Sequence, residues 1–396
     1  MADALAVGVL VVVVVVAASL ARLPPSIAIS SASLIAIAVT SGLARIPEVY
    51  ASVLSNYYTL EAIAGVAAVA WLVSLYRNTG VAEVLGEELS RALRSPRVAA
   101  AGIPAVLGLL PVPGGALMSA PVVNEIGDRL GWTSLKKLFV NVWFRHALVI
   151  AYPLNSIIVM TASLAGVSLW ALVAWALVAS LVMVLIGLIA IRESDGVLEK
   201  SSPDFGKLAR SLAPMLTSIS IAICGEMAGL SSRLAVLVGV ALSIPVFIIA
   251  SGSSFSKALS PIRDHTVWDI VMVTFSALVL REVFAVADYS SINSIGSKVG
   301  ALALIAVPAL FGVLSGAASV SVSVSIPMVS ALKTLTVNEV ALIYVAAFTG
   351  YMVSPLHLCL VYTLRYYNVS LIDAYKLLVP ASLAFLLITS AVFLAV

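Results

Sequence analysis

Two short stretches of this 396-residue chain, Tyr152-Pro153-Leu154-Asn155-Ser156 and Ser354-Pro355-Leu356-His357, place a proline and polar side chains inside apolar sequence. The stretches are related, because a Val, a Thr and a Val-Ser-Leu triplet follow each of them at a constant offset of 202 positions (153 to 355). The same offset aligns residues 113–119 with residues 315–321, where Gly, Ala and Ser coincide. A repeat of this length predicts a chain built from two copies of one unit of about 200 residues.

The composition is that of a membrane protein. Hydrophobic residues make up 62% of the chain and charged residues 10%, against roughly 25% charged in soluble domains, and the mean hydropathy is +1.13. Six apolar runs approach or exceed the ~17–25 residues that cross a bilayer as helix; they are 4–21, 26–44, 58–76, 166–191, 234–250 and 373–395. These runs are continuous rather than alternating, which excludes a β-barrel and predicts an all-α polytopic protein of the cell membrane.

The distribution of basic residues predicts the topology. Ten crossings fit best, centred near residues 12, 35, 67, 151, 180, 215, 242, 274, 351 and 384. Two further apolar stretches, 98–122 and 299–330, are interrupted by Gly, Pro and Ser, and we interpret them as re-entrant hairpins. This arrangement puts 15 Lys and Arg residues in inside loops and 5 in outside loops. Under the positive-inside rule, both termini are therefore predicted to be extracellular.

Five crossings and one hairpin per half predict two inverted repeats. The first repeat covers residues 1–191, with scaffold helices in 1–76, a hairpin at 98–122 and a broken helix at 138–165. A cytoplasmic linker is predicted at 192–210. The second repeat covers 207–396, with scaffold helices in 207–282, a hairpin at 299–330 and a broken helix at 339–363.

Matched helix interruptions in the two halves indicate a transport site. A single proline in a crossing is most simply a kink. Four breaks at repeat-related positions, however, point to a binding site near the midplane; they are 111–115, 152–156, 315–321 and 354–357. Helix N-termini at such breaks suit an anion, and freed carbonyl groups suit Na⁺. The predicted substrate-binding residues are Pro113, Gly114, Gly115, Ala116, Ser119, Arg145, Tyr152, Pro153, Asn155, Ser156, Ser315, Gly316, Ala317, Ser319, Ser321, Ser354, Pro355 and His357.

Ionisable residues inside crossings are functional candidates, because burying them in lipid is costly. Arg145 offers a fork of donors suited to a carboxylate; alternatively, it extends to the cytoplasmic surface with its stem against Trp143. His357 aligns with Asn155 in the repeat and is the predicted proton carrier, with His146 as a second coupling candidate. The alternative for His357 is a neutral side chain satisfied by a neighbouring Ser.

Several classes of function are excluded or disfavoured. No HExxH, GxSxG or GxxxxGK[ST] motif is present, so an enzyme is not expected. The net charge of +3 is too small to indicate nucleic-acid binding. Cys224 and Cys359 lie far apart in apolar segments and are expected to pack rather than to bind metal. No cofactor is predicted apart from Na⁺ or H⁺ as the coupling ion.

Four motifs resemble the integral-membrane family called domain of unknown function 401; they are LPVPGGAL at 110–117, NVWFRH at 141–146, YPL at 152–154 and SPLHLCL at 354–360. That family is grouped with the ion transporter superfamily, which includes gluconate, citrate and dicarboxylate transporters. The resemblance implies an elevator-type transporter, with a scaffold and a moving domain of hairpins and broken helices, often as a homodimer. The Ser-Asn-Thr motifs common at hairpin tips of dicarboxylate members are replaced here by Pro-Gly-Gly and Ser-Gly-Ala.

The sequence therefore predicts a secondary active transporter. It would move a small, carboxylate-like organic anion by alternating access, coupled to H⁺ or Na⁺, with membrane lipid as its surroundings. One alternative is a Na⁺/H⁺ or other inorganic-ion antiporter, although no carboxylate lies clearly at mid-crossing; Glu61 and Asp269 lie nearer crossing ends. The other is a channel-like or intramembrane-enzyme protein, which inverted repeats disfavour.

Overall fold

The computed structural model describes residues 3–21, 23–93, 95–109, 116–191, 202–287 and 300–395. Within these ranges the regular elements are helices, and no strand occurs. This confirms the all-α prediction. Three of the predicted site residues, Pro113, Gly114 and Gly115, lie outside the described ranges, as do residues 192–201 of the predicted linker.

Nineteen α-helices are described, together with three short 3-10 turns. In chain order they are α1 (Ala4–Leu20), α2 (Pro25–Thr40), α3 (Ile46–Ser55), α4 (Tyr57–Asn78), α5 (Val81–Ala92), α6 (Pro96–Gly108), α7 (Ala116–Arg129), α8 (Ser134–Ala147), α9 (Ser156–Ala165), α10 (Leu169–Ala190), α11 (Phe205–Met227), α12 (Ser232–Ser251), α13 (Phe255–Ala258), α14 (His265–Ala285), α15 (Gly300–Ser315), α16 (Ala318–Ser330), α17 (Val337–Val353), α18 (Leu358–Tyr367) and α19 (Leu371–Leu394).

The lengths of the helices are those of a multi-pass membrane protein. Among the described residues, six helical segments are long and apolar enough to cross a bilayer, and α8 with α9 forms a seventh that bends by 44° at its break. Shorter apolar helices include α1, α2, α15 and α16. The count of ten crossings and the two re-entrant hairpins stay predictions, because helix length and composition alone do not fix either.

Helix bounds recur at the offset seen in the sequence. Helices α9 and α18 begin at 156 and 358 and end at 165 and 367, and α10 and α19 begin at 169 and 371. The local cause is visible at Ser168 and Ser370, whose hydroxyl oxygens accept the Ala171 and Asp373 amides and cap these last two helices. An N-cap serine satisfies an otherwise unpaired helix amide. The repeated Val-Ser-Leu triplet therefore sets the same helix start in both halves.

Two helical hairpins lie beside two broken helices. Helices α6 and α7 pack on each other and on α8, and α15 and α16 pack on each other and on α17. Glycines allow the closest approaches, because a Cβ atom at Gly108 would overlap the Arg145 carbonyl, and one at Gly350 would overlap the Ala309 carbonyl. Helix α17 is the central element, since it contacts α9, α10, α15, α16 and α19 and is buried from Val340 to Gly350.

A second set of helices packs on this group from one side. Helix α14 contacts both α2 and α4, and α11 forms a close pair with α12. The hydroxyls of Ser30 and Ser276 lie 2.8 Å apart and join α2 to α14. Helix α9 rests on α4, and α16 rests on α14. These contacts form the junction between the predicted scaffold helices and the predicted moving elements.

Some helix bounds differ from the predicted stretches. The bend at the second hairpin is confined to Gly316 and Ala317, because α16 is already helical from Ala318. Helix α6 begins at 96 and α7 ends at 129, beyond both ends of the predicted stretch 98–122. Helix α11 begins at Phe205, inside the predicted linker 192–210, because the Asp204 carboxylate caps its first turn.

Candidate functional site

The hairpin tip and the two helix breaks enclose a cavity of about 320 Å³. Its lining residues come from the ends of α6 and α8, from the breaks, from the tip of the second hairpin and from the facing ends of α17 and α18; they are Pro25, Gly108, Arg145, His146, Val149, Asn155, Ile157, Gly316, Ala317, Ala318, Ser319, Phe348, Tyr351, Leu358 and Cys359. Six of the predicted residues are among them, namely Arg145, His146, Asn155, Gly316, Ala317 and Ser319.

The N-termini of three helices, α9, α16 and α18, line this cavity. Helix α9 contributes Ile157, α16 contributes Ala318 and Ser319, and α18 contributes Leu358 and Cys359. Neither α16 nor α18 has a side-chain cap at its first turn. The first amides of a helix have no partner within it and carry a partial positive charge. The cavity is therefore electrostatically suited to an anion.

The tip of the second hairpin is fixed against the second break. Gly316 adopts a φ of +65°, and a Cβ atom there would lie 2.6 Å from the Leu356 Cβ atom, so glycine is needed both for the turn and for the close approach. The Ser354 hydroxyl donates a 2.6 Å hydrogen bond to the Val313 carbonyl. The Ser315 hydroxyl donates to the Phe311 carbonyl at 2.6 Å. Both serines thus hold the tip rather than face the cavity.

Neighbouring hydroxyls hydrogen-bond the carbonyls that the breaks set free. Ser180 donates to the Ala147 carbonyl at 2.6 Å, and Tyr344 donates to the Ile150 carbonyl at 3.0 Å. At the second break, Tyr375 donates to the Val353 carbonyl at 2.7 Å. Backbone that leaves a helix inside a membrane requires such partners. The breaks are therefore built into the packing of the surrounding helices.

Asn155 and His357 occupy repeat-related positions but make different contacts. The Asn155 Oδ1 atom accepts the Ile157 amide at 3.0 Å and so caps α9, while Nδ2 donates to the Val149 carbonyl at 3.0 Å. The His357 Nδ1 atom lies 3.3 Å from the Met352 carbonyl, a position that requires Nδ1 to carry the proton. His357 is 1% exposed, and its Nε2 atom has no hydrogen-bond partner in the described part of the chain.

Arg145 is the charged residue of the cavity wall. It is 3% exposed, which argues against the alternative in which its head reaches the membrane surface. It lies close enough to His146, His357 and Tyr351 to interact electrostatically with all three. A buried guanidinium beside a cavity is suited to a carboxylate or phosphate group.

Two histidines and a cysteine meet beside Arg145. The His146 Nδ1 atom lies 2.7 Å from the Val142 carbonyl, so this nitrogen also carries a proton. The rings of His146 and His357 have centroids 4.9 Å apart, and Tyr351 lies 4.1 Å from His357. One nitrogen from each histidine and the Cys359 sulfur all lie within 4.8 Å of one another.

Other predicted residues lie around the cavity rather than on its wall. The Ser119 hydroxyl donates to the Asn141 side-chain oxygen at 2.6 Å, and the Ser321 hydroxyl donates to the Pro308 carbonyl at 2.6 Å. Both hydroxyls are used to join helices, which is why they do not face the space. The structure also leaves the following predicted residues off the cavity wall: Ala116, Tyr152, Pro153, Ser156, Ser315, Ser354, Pro355 and His357. His357 nevertheless contacts two wall residues, His146 and Tyr351.

Sequence reasoning missed Phe348, Tyr351 and Cys359. Phe348 and Tyr351 precede the second break on α17, one helical turn apart, where the apolar run gave no reason to single them out. Cys359 was interpreted as a packing residue, but it is the second residue after His357, at the start of α18. Two larger cavities, of about 420 and 500 Å³, lie between α5, α6 and α7 and between the start of α4 and the end of α14.

This architecture is shared with a transporter of known structure. The crystal structure of the Alcanivorax borkumensis YdaH transporter, described as having an unusual topology, is similar over 85% of both chains, with a TM-score of 0.58 and 17% sequence identity. At this identity the similarity establishes the fold: an all-helical membrane protein of transporter architecture. No curated protein matches the sequence significantly.

The chain belongs to the family described as protein of unknown function DUF401, which matches residues 4–396. The family resemblance inferred from the short motifs is thus confirmed over nearly the whole length. The wider grouping with the ion transporter superfamily stays a prediction.

Proposed function

We propose that the protein is a secondary active transporter of a small organic anion with at least one carboxylate group. The observation that carries the proposal is the convergence of three helix N-termini and the buried Arg145 on one cavity of about 320 Å³. A cationic side chain and helix N-terminal amides around one cavity favour a negatively charged ligand. The volume suits a compact substrate at the lower end of the usual range of binding pockets.

Alternating access is proposed to move this cavity relative to the scaffold helices. The cavity wall is formed mainly by the hairpins, the breaks and their flanking helices, while α2 contributes Pro25 alone. Elements that carry a site together can move it as a rigid body between the two sides of the membrane. A homodimer, implied by the superfamily resemblance, is proposed as the functional unit, and light scattering of the purified protein measures it.

Coupling to protons is favoured over coupling to Na⁺. The carbonyls near the breaks, including those of Val149, Ile150 and Val353, already accept hydrogen bonds from protein side chains. Fewer of them are available to coordinate a cation. His357, in contrast, has a buried nitrogen without a partner in the described residues, where a proton can bind and leave.

The inorganic-ion antiporter is less well supported. Antiporters of this kind use a buried carboxylate, and Glu61 is 6% exposed. However, Glu61 lies in the first turns of α4, where it accepts a hydrogen bond from the Ser231 hydroxyl, and it is not on the cavity wall. Asp269 accepts the Ser26 amide, at the start of α2. Both carboxylates therefore accept hydrogen bonds from residues near helix ends.

Uptake by proteoliposomes tests the proposal. A panel of radiolabelled mono- and dicarboxylates is offered with an imposed pH or Na⁺ gradient, to wild type and to Arg145→Gln. We expect saturable uptake of at least one carboxylate, driven by the pH gradient, and a loss of at least about tenfold in Arg145→Gln, because a charge-assisted hydrogen bond contributes roughly 1.5–3 kcal/mol.

Arg129→Gln is the matched control. Arg129 lies at the end of α7, is 48% exposed and pairs with Glu125 at 2.7 Å, so its replacement should leave uptake near the wild-type rate. Equal uptake by Arg145→Gln and wild type would remove Arg145 from the site. Uptake of no carboxylate, combined with Na⁺-driven proton movement, would favour the antiporter instead.

A further inference from the structure

We infer that His146, His357 and Cys359 form a binding site for one Zn²⁺-like metal ion. The potential ligand atoms, one nitrogen from each imidazole and the cysteine sulfur, lie within 4.8 Å of one another, and all three residues are buried. Two imidazoles and a thiolate are a ligand set that zinc prefers. The site requires no transport activity, but it uses the His357 nitrogen proposed above to carry a proton, so a bound ion and a proton would compete for that atom.

The orientation of the two imidazoles supports this inference. Each ring directs Nδ1 toward a backbone carbonyl, His146 to Val142 at 2.7 Å and His357 to Met352 at 3.3 Å. Metal-binding histidines are held in this way by a second hydrogen bond, which fixes the tautomer and leaves Nε2 with a free lone pair. The carbonyls thus present both Nε2 atoms as ligands.

The Nε2 atom of His357 is a second, independent sign of a missing ligand. It is fully buried and has no partner among the described residues, and leaving a buried polar atom unpaired is unfavourable. A metal ion would bind this nitrogen together with the His146 nitrogen and the Cys359 sulfur.

The expected geometry is a three-ligand site with one open position. Zinc lies about 2.0–2.1 Å from nitrogen and about 2.3 Å from sulfur, so its ligand atoms in a tetrahedron are roughly 3.5 Å apart. The present ligand atoms lie within 4.8 Å of one another, so binding an ion would require side-chain shifts of about 1 Å to reach that spacing. His146 and Cys359 also line the cavity, so the fourth position opens onto it.

An anion in the cavity is the natural fourth ligand. A Zn²⁺ ion bound to one thiolate retains a positive charge, and Arg145 lies nearby. A carboxylate bound to the ion would neutralise the remaining charge of the metal site. Only this last step rests on the proposed anion transport; the metal site itself does not.

Metal titration of the purified, tag-free protein tests the inference. Metal-free wild type is titrated calorimetrically with Zn²⁺, and Co²⁺ is used as an optical probe, since thiolate ligation gives a charge-transfer band. The chain has three histidines and two cysteines, so His265→Asn and Cys224→Ser are matched controls for His146→Asn, His357→Asn and Cys359→Ser. His265 and Cys224 are both exposed.

We expect wild type and both controls to bind one Zn²⁺ per chain, and each of the three site variants to bind at least about tenfold more weakly. Cys359→Ser should also lose the Co²⁺–thiolate band, which Cys224→Ser should keep. No saturable binding by wild type, or unchanged binding by the site variants, would overturn the inference.

A labelling experiment avoids dependence on the folding of the site variants. In Cys224→Ser the Cys359 thiol is the sole cysteine, and Zn²⁺ should slow its reaction with a maleimide. Labelling at the same rate with and without Zn²⁺ would contradict the site. Carboxylate uptake is measured separately, after zinc has been removed by a chelator. The two proposals can therefore fail independently, because Zn²⁺ binding is measured without any transport.

Discussion

Ser319 is the serine of the second hairpin that faces the cavity. The hydroxyls of Ser315, Ser321 and Ser323 donate to backbone carbonyls at 2.6 Å, and the last of these is bonded to the carbonyl of Ser319 itself. Ser319 instead lies on the cavity wall in the first turn of α16. At the scale of single residues, a binding serine differs from a packing serine in two ways. It lies on the cavity wall, and its hydroxyl is available to a ligand.

Ser319→Ala should therefore raise the KM for uptake by about 2- to 10-fold, since one hydrogen bond contributes roughly 0.5–1.5 kcal/mol. Ser323→Ala is the matched control, because its hydroxyl is bonded within α16, and its KM should stay at the wild-type value. Concentration-dependent uptake in proteoliposomes measures both. A KM that shifts equally in the two variants would show that α16 is merely destabilised.

The ionisation of Asp264 is expected to make the stability of the folded protein depend on pH. It lies outside the membrane spans, at the N-cap of α14, and pairs with Arg77 of α4. Burial alone would raise the pKa of its carboxyl, but hydrogen bonds from Ser74 and Thr266 and the charge of Arg77 outweigh burial and lower the pKa from 3.8 to about 2. The pKa of this carboxyl is lower in the folded protein than in the unfolded chain, so the ionised carboxylate stabilises the fold above about pH 4. This stabilisation is lost as the pH falls from about 4 to about 2.

Asp264→Asn should therefore lower the stability at pH 7 by about 2 kcal/mol, and the difference from wild type should shrink below about pH 4. Thermal unfolding in detergent at several pH values measures it. Glu125→Gln breaks an exposed ion pair, with Arg129 48% and Glu125 67% exposed, and should have little effect at any pH. A difference for Asp264→Asn that persists undiminished at low pH would refute the assignment.

The sequence singled out individual residues where their chemistry is unusual for a membrane. Arg145, His146 and His357 stood out because charged or titratable groups are rare in apolar runs, and the structure places them together. Tyr351 and Cys359 could not be found in this way, because each is ordinary in a crossing. Their role follows from the break, which turns the end of α17 and the start of α18 toward the same cavity.

At the scale of elements, glycines determine how closely the hairpins approach the broken helices. A Cβ atom at Gly350 would overlap the Ala309 carbonyl, and one at Gly312 would overlap the Ala347 carbonyl. Both glycines lie inside helices, where glycine is unfavourable by about 1 kcal/mol relative to alanine. Their cost is offset by the close contact of α15 with α17.

Gly350→Ala should destabilise the protein by about 1–3 kcal/mol, the usual effect of overpacking, and should lower its unfolding temperature in detergent. Gly300→Ala is the matched control, since a Cβ atom at Gly300 meets no atom of the described residues within 4 Å, and it should be neutral or slightly stabilising. If both variants unfold at the wild-type temperature, the separation of α15 and α17 is not set by Gly350.

Element boundaries could be predicted where a local signal exists. Pro153 and Pro355 marked the two breaks, and the repeated Ser168 and Ser370 marked the starts of α10 and α19. The length of the hairpin bend could not be predicted, because Ser and Val residues in 318–325 are poor helix formers in isolation and become helical through burial against α14 and α17. Tertiary packing decided where α16 begins.

At the scale of the whole molecule, the repeat offset and the apolar composition predicted the class of fold. They could not assign partners between helices, because no periodic pattern in an all-apolar run says which face meets which neighbour. The central position of α17 and the contact of α16 with α14 thus came from the structure alone. The inverted relation of the halves and their relative movement stay predictions, and the movement can be tested directly.

A cross-link between the two sets of helices tests that movement. Gly8 on α1 lies in the predicted scaffold, and a Cβ atom there would be 3.5 Å from the Met328 sulfur on α16. In a Cys224→Ser background, Gly8→Cys with Met328→Cys should be joined by a short bifunctional methanethiosulfonate, which forms a disulfide with each thiol. If the hairpin must slide past α1 to carry the site across the membrane, this cross-link should abolish carboxylate uptake, and reduction should restore it.

Ser30→Cys with Ser276→Cys provides the control within the scaffold. Their hydroxyls are 2.8 Å apart on α2 and α14, so this pair should also cross-link, yet uptake should persist because both helices belong to the same rigid set. Uptake that survives the Gly8–Met328 cross-link would show that α16 stays fixed against α1. Movement would then be confined to smaller gates at the hairpin tips, and the elevator mechanism would be wrong.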